Sequence, residues 1–378
     1  MSIMRLLTLL ALAKHLFIGG ASGSRKSSLA KHLFIQLQML GIPCSALELA
    51  KKEWRGMKLL ATSPDSALRD AITALRVYTV GNEEVSPLTI NPFEAGPGVG
   101  IDTAIGNLRR CFNGALAMFA PLPELISVGV EKMLYAFVEQ DTVPTITDLH
   151  SYVLHVLDQK SYAGELGANL RGAVDARFEA LTTGAAGRLF QCAKSIPGPG
   201  SFLRTSKIFE MDELAKEDLT LALLFLLTRF WECAKATPAA SGVLRHVLFV
   251  EEAHVALGAS GDARPNELAA DPAAYVTEFI CRMLAEFRGL GVGVVICDQS
   301  PHQVSPLILK NTGTKIAFRQ QDAEDREAMA NAMLLDPLRA EDLGRLRPGE
   351  AYLWTEGYYR PLKIRTVSWE EEYGNAHS

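Results

Sequence analysis

Two groups of residues in this chain have the types and the spacing for phosphate chemistry. The first is Gly20-Ala-Ser-Gly-Ser-Arg-Lys-Ser-Ser28. A glycine, a short run of small residues and then Lys26-Ser27 is the order that wraps backbone amides around phosphate oxygens, G-x-x-x-x-G-K-[ST]. Loop amides from Ala21, Ser22, Gly23, Ser24 and Arg25, with the helix N-terminus at Ser28, hold β- and γ-phosphate oxygens; Lys26 adds a point charge and Ser27 can ligate Mg²⁺. The expected cofactors are ATP and Mg²⁺. The second group is Glu251-Glu252, at the end of the apolar run 247–250. Two acids at the mouth of a buried strand are costly unless a cation or a reaction uses them. Glu251 is expected to hold Mg²⁺ and Glu252 to take a proton from the attacking water; the plainer reading is an acidic helix N-terminus after a strand. His254 is either a third polar group of this site or an ordinary surface or core histidine. Gln299, at another strand end, is placed to sense γ-phosphate or orient water.

One position departs from the motif. Glycine serves just before the lysine because the backbone there approaches the phosphates closely, and this chain has Arg25. The arginine either points outward and leaves its amide usable or fills the pocket, and a Gly-rich turn without a ligand is the bland alternative.

Positioning these groups takes strands that end at one edge of a sheet. Residues 16–18 are a short apolar strand, and Leu29, Leu33, Ile35, Leu37 and Leu40 give the helix after the loop its apolar positions. Residues 44–49 read as a strand that delivers Ala50-Lys-Lys-Glu-Trp-Arg55 to the edge where α/β sheets bind ligands. That stretch either touches nucleotide or nucleic acid or begins a solvated helix. Residues 66–75 have helical spacing, 76–80 and 88–93 read as strands, and the glycines of 96–100 mark a boundary. From 101 to about 236 the period is helical, over 107–118, 124–138, 147–157 (with Thr147-Asp148 as the N-cap), 162–181 and 217–234, with a short strand at 207–211. Strands return at 247–250, 291–297, 315–318, 351–354 and 362–366, with helices at 274–288 and 325–333. Residues 258–265 read as a flexible loop and 369–378 as a loose tail. The expected organisation is an α/β core in two parts, 1–96 and 237–378, interrupted by a helical insertion over 97–236.

With 378 residues, 48% hydrophobic and 21% charged, the chain belongs with soluble globular proteins. A net charge of −5 excludes a global basic footprint, so contact with DNA needs a local patch or a ring formed on assembly. Six scattered cysteines without C-x-x-C spacing read as reduced cytosolic thiols. Residues 4–13 look like a short signal core, but they run straight into the phosphate-loop strand, and 219–227 is too short to span a bilayer. A cytoplasmic protein without membrane insertion is expected.

Taken in order, KHLFIGGASGSRKSSLAKHL, LELAKKEWR, LTINPFE, HVLFVEEAHVAL, FRGLGVGVVICDQSP, NTGTKIAFR and LRPGEAYLW resemble the HerA-type ATPases of the HerA/FtsK group of additional-strand P-loop NTPases. The resemblance spans nearly the whole chain. It implies a RecA-like P-loop core, a mostly parallel sheet flanked by helices, with a large helical insertion. It further implies a homo-hexameric ring on double-stranded DNA, working as a translocase or helicase-like motor in repair or phage defence beside a NurA-type nuclease or another effector. Carried over, Lys26 and Ser27 bind phosphate and Mg²⁺, Glu251 is the Mg²⁺ carboxylate, Glu252 the catalytic base and Gln299 the sensor. Arg288 and Arg319 lie where arginines of the family approach a neighbour's γ-phosphate. The family usually carries a small β-barrel before the core, and only fourteen residues precede the first core strand here. A protein-export motor resembling the type IV secretion ATPases, and a catalytically impaired P-loop scaffold subunit, are the alternatives.

Overall fold

The computed structural model describes residues 9–116, 118–160, 162, 164–237, 242–257 and 272–373. Its strands are β1 (Leu16–Gly19), β2 (Cys44–Glu48), β3 (Arg76–Thr79), β4 (Lys207–Glu210), β5 (His246–Glu251), β6 (Val292–Asp298), β7 (Thr314–Ala317), β8 (Glu350–Thr355) and β9 (Leu362–Arg365). They form one sheet in the order β3-β4-β2-β5-β6-β1-β7-β8-β9. The first seven pair in parallel, and β8 and β9 extend the β7 edge antiparallel. β6 separates the phosphate-loop strand β1 from β5, the additional-strand arrangement of a RecA-like P-loop core.

The central strands are apolar on both sides because both faces of the sheet are covered. Val247 and Phe249 turn into one core and Leu248 and Val250 into the other, the period of two that a strand imposes. On one side lies the helix Lys26–Met39, which buries Leu29, Leu33, Phe34 and Leu37. Leu40 is its exposed C-cap and not part of that face. Phe34, Trp54 and Phe249 form a buried aromatic trio there, with centroids 5.3–5.4 Å apart. On the other side the helices Ile101–Ala115, Leu122–Glu139, Ile146–Gln159, Gly164–Thr182 and Gly184–Phe190 share a core with Lys216–Ala236 and Pro272–Gly289.

Several expectations change. The stretch 97–236 is not wholly outside the sheet, since β4 pairs with β2 and β3. Residues 88–93 make no strand: only isolated bridges, Thr79 to Pro87 and Thr89 to Ile196, touch this stretch, and Pro92 has no N–H to give a ladder. The helix cap is Thr145, not Thr147, closed by a reciprocal Asp148 in a capping box. Residues 369–373 are no loose tail but a helical turn, Trp369–Tyr373, packed on the helix Lys26–Met39. The loop expected at 258–265 lies outside the described residues. Among those residues no helix is long and apolar enough to cross a membrane; 219–227 is part of Lys216–Ala236, where it is buried in the core.

Candidate functional site

β1, β5 and β6 all end at the same edge of the sheet, and the phosphate-chemistry residues stand there. The loop after β1 is anchored at both sides: the Gly20 amide donates to the Asp298 carbonyl at 3.1 Å and the Ala21 amide to the Arg319 carbonyl at 2.9 Å. Gly20 admits no side chain, since a Cβ would lie 2.6 Å from Ser24 Oγ and 2.7 Å from Phe318 Cβ. Gly23 takes φ +74° in open space. The helix that follows starts at Lys26 with no side-chain cap, so its first-turn amides, Lys26 to Ser28, have no intrahelical acceptor. They face a cavity of about 240 Å³ lined by the whole loop 21–28 together with Lys31, Lys51 and Gln299.

Arg25 occupies the glycine position in the glycine's own conformation, φ +78° and ψ +20°. Its guanidinium leaves the loop sideways, Nη1 donating to Glu371 Oε1 at 2.7 Å, and its Cδ lies beside Gly349. The outward alternative is the one the structure shows.

Lys26 and Glu252 face each other across the site. Lys26 Nζ is 3.3 Å from Glu252 Oε1, both side chains being 6% exposed, and Gln299 Nε2 donates to the same carboxylate oxygen. Glu252 is held at φ +52° just past the end of β5, a sparsely populated conformation of the kind that gathers at active sites. Its Oε2 is buried without a hydrogen-bond partner among the described residues. Glu251 is the last residue of β5, and burial pushes its carboxyl up, against the pull of Lys26 and of the Ser27 hydroxyl facing it. Its Oε1 is likewise buried without a hydrogen-bond partner among the described residues. An orphaned carboxylate oxygen beside a serine hydroxyl is a donor set that suits a hard divalent cation, so Ser27 and Glu251 fit Mg²⁺.

His254 joins the site, resolving the two readings of it. Its Nδ1 lies 3.0 Å from Asp298 Oδ1 and 3.8 Å from Glu252 Oε2, and its hydrogen bond to Asp298 raises its pKa. Asp298, fully buried, also accepts from the His254 and Ser300 amides. Glu252, His254 and Asp298 bring donor atoms within 4.8 Å of one another, but Asp298 is already engaged and serves to orient the histidine. Glu48 is a second residue that the sequence alone did not reveal. It ends β2, in register with Glu251 on β5 and Glu210 on β4, and burial, followed by those two acids, lifts its carboxyl to about 8. Its backbone donors are the amides of Glu53 and Trp54.

The stretch 50–55 divides. Trp54 is core, Lys52 pairs with Asp212 and Glu213, Arg55 pairs with Glu210, and Lys51 faces the cavity. The two arginines also part company. Arg319 follows β7, its carbonyl accepts the Ala21 amide of the phosphate loop, and its Nε is buried without a partner among the described residues. Arg288 ends the helix Pro272–Gly289 at the opposite edge of the sheet, exposed and near His15.

No protein-family model and no curated protein sequence matches the chain. Solved structures do match in fold. VirB4 of Thermoanaerobacter pseudethanolicus superposes with a TM-score of 0.69 at 16% identity, over 95% of this chain and 90% of that one. The bacterial conjugative coupling protein TrwB, unbound, gives 0.63 at 12% identity over 94% and 86%. TrwB in complex with ADP and Mg²⁺ gives 0.62 at 11% identity over 95% and 86%.

Proposed function

We propose that this chain is a P-loop ATPase motor that binds and hydrolyses ATP with Mg²⁺ and couples the reaction to movement of double-stranded DNA. The observation that carries the reading is the convergence on one carboxylate: Glu252 faces Lys26 at 3.3 Å and takes the Gln299 amide, while Glu251 meets Ser27 beside it. The fold it shares with TrwB, a protein crystallised with ADP and Mg²⁺, supports the nucleotide. When bound between Ser27 and Glu251, Mg²⁺ would neutralise phosphate charge. Lys26 would exchange its ion pair with Glu252 for the phosphates, which frees Glu252 to hold the proton of the attacking water. Gln299 and the His254–Asp298 pair would fix the direction of that carboxylate. Arg288 or Arg319 of a neighbouring copy would complete the site, in a HerA-type hexameric ring with a NurA-type nuclease or another effector as its partner, in the cytoplasm.

A second reading, a protein-export motor of the secretion type, draws on the similarity to VirB4. The two separate on DNA dependence. Steady-state ATP hydrolysis with Mg²⁺, with and without linear double-stranded DNA, should be stimulated by the DNA and abolished in Glu252→Gln. Hydrolysis indifferent to DNA would favour export, and no hydrolysis with retained nucleotide binding would make the chain a scaffold subunit.

A further inference from the structure

The phosphate loop is not open on all sides. The segment Ser368–Tyr373, more than 340 residues away in sequence, lies across the start of the helix Lys26–Met39. Glu370 Oε2 accepts from Ser28 Oγ at 2.5 Å, Glu371 Oε1 from Arg25 Nη1 at 2.7 Å, and the Trp369 amide donates back to Ser28 Oγ at 3.3 Å. Glu372 Oε2 lies 3.5 Å from His32 Nδ1, and the Tyr373 ring stacks on His32 at 5.7 Å. Three consecutive carboxylates thus meet a hydroxyl, a guanidinium and an imidazole on the first turns of one helix. Glu370 also lines the cavity that the loop amides face. A carboxylate at a helix N-terminus satisfies the same orphan donors and dipole that a phosphate would.

The segment is placed by the loop itself. The Ser24 carbonyl accepts from the Gly349 amide at 3.2 Å, and the Gly349 carbonyl accepts from the Thr366 amide at 2.8 Å. The phosphate loop, the turn before β8 and the strand end after β9 are therefore hydrogen-bonded in series, ending at Thr366, four residues before Glu370. Arg25 fits this scheme. It bears a left-handed backbone that glycine would adopt without cost, and its ion-pair partner, Glu371, lies in this segment.

We propose that Ser28 and Arg25 form an anion subsite of the phosphate cavity, that Glu370 and Glu371 fill it when no nucleotide is bound, and that a nucleoside triphosphate must displace the segment to enter. This rests on the nucleotide-binding reading of the same loop. With phosphates in place, Arg25 loses its carboxylate partner and becomes a further cation beside them. The segment is thereby a strap whose docking and whose release report the nucleotide state of the site.

The test titrates a fluorescent ATP analogue with Mg²⁺ into the full chain, into Glu370→Gln/Glu371→Gln, and into Lys26→Ala, and follows hydrogen exchange over residues 366–373. The Glu371 and Glu372 amides, bonded to Ser368 Oγ and its carbonyl, are the reporters. The double variant should bind about tenfold more tightly, the scale of losing two competing polar contacts, and saturating nucleotide should speed exchange at those amides in the parent. Lys26→Ala should bind nothing and leave the exchange slow. Equal affinity in parent and double variant with unchanged exchange would overturn the strap alone. Absence of binding in every form, the double variant included, would remove the nucleotide reading and the strap with it.

Discussion

Arg25 is the residue at which a local rule is broken, and its energetics can be separated into two parts. A left-handed backbone costs a residue with a Cβ about 1 kcal/mol relative to glycine. The Glu371 ion pair, with side chains 39% and 53% exposed, is screened by solvent and offsets only part of that cost. Arg25→Gly removes both the strain and the pair, while Arg25→Ala keeps the strain and loses the pair. Urea unfolding should therefore place the glycine variant above the alanine variant by about 1 kcal/mol, with the parent between them. Equal midpoints for the two variants would mean that this backbone is not held left-handed in solution. None of this was legible from the motif. The sequence shows an arginine where a glycine is wanted, but which way it points is decided by a carboxylate 346 positions away.

At the scale of elements, β1 must be fixed between β6 and β7 for the loop to stand beside Glu252, and one buried histidine helps to pin it. His15, just before β1 and at φ +67°, accepts the Val294 amide at Nδ1 at 3.1 Å. Its Nε2 must then carry the proton, donated to the Leu284 carbonyl at 2.6 Å. A second proton would set an N–H against the Val294 N–H. Burial, with help from Arg288 and against the Leu284 bond, holds the pKa down at about 4, from 6.5. Between those values the unfolded chain takes up a proton that the folded chain refuses, so this contribution is complete above pH 6.5 and is lost as pH falls through 4. His246, pushed down to about 3 by complete burial, continues the same loss on the acid side. His15→Leu should be less stable than the parent at neutral pH, because it takes the acceptor from the buried Val294 amide and the second donor from the helical Leu284 carbonyl. It should also show a shallower decline between pH 6.5 and 4. Denaturant midpoints across that range decide it, and parallel curves would assign the acid sensitivity elsewhere.

The elements that sequence reading found are those whose signal is local. The runs at 247–250 and 291–297 are apolar on every residue because both faces of the sheet are covered, and they became β5 and β6. The run at 88–93 has strand-forming residues but no neighbouring strand to ladder with, a non-local condition. Thr145 and Asp148 carried the capping-box spacing in plain view, but Thr147 stood closer to the acid and took the assignment. Glu48 carried no signal, because its meaning arises from register: only when β2 lies between β4 and β5 does it face Glu210 and Glu251.

For the whole molecule, the separation of the two candidate arginines makes assembly testable by mixing. Arg288 ends its helix at the edge of the sheet opposite the phosphate loop, so it can serve a nucleotide only on a second copy, whereas Arg319 begins beside the loop of its own chain. Suppose Arg288 acts across an interface. Arg288→Ala and Lys26→Ala would each be inactive alone, the first lacking the arginine at every site and the second lacking the phosphate lysine. In an equimolar mixture about one quarter of the interfaces would pair an intact Lys26 with an intact Arg288 from its neighbour, and activity should return to about that fraction of the parent's. Arg319→Ala mixed with Lys26→Ala gives the complementary measurement. Recovery there and not with Arg288→Ala would assign the arginine to Arg319 acting in trans. If neither mixture recovers, Arg288→Ala is active alone and Arg319→Ala is inactive alone, each site draws on the Arg319 of its own chain, and a ring in which neighbours complete one another's sites is ruled out.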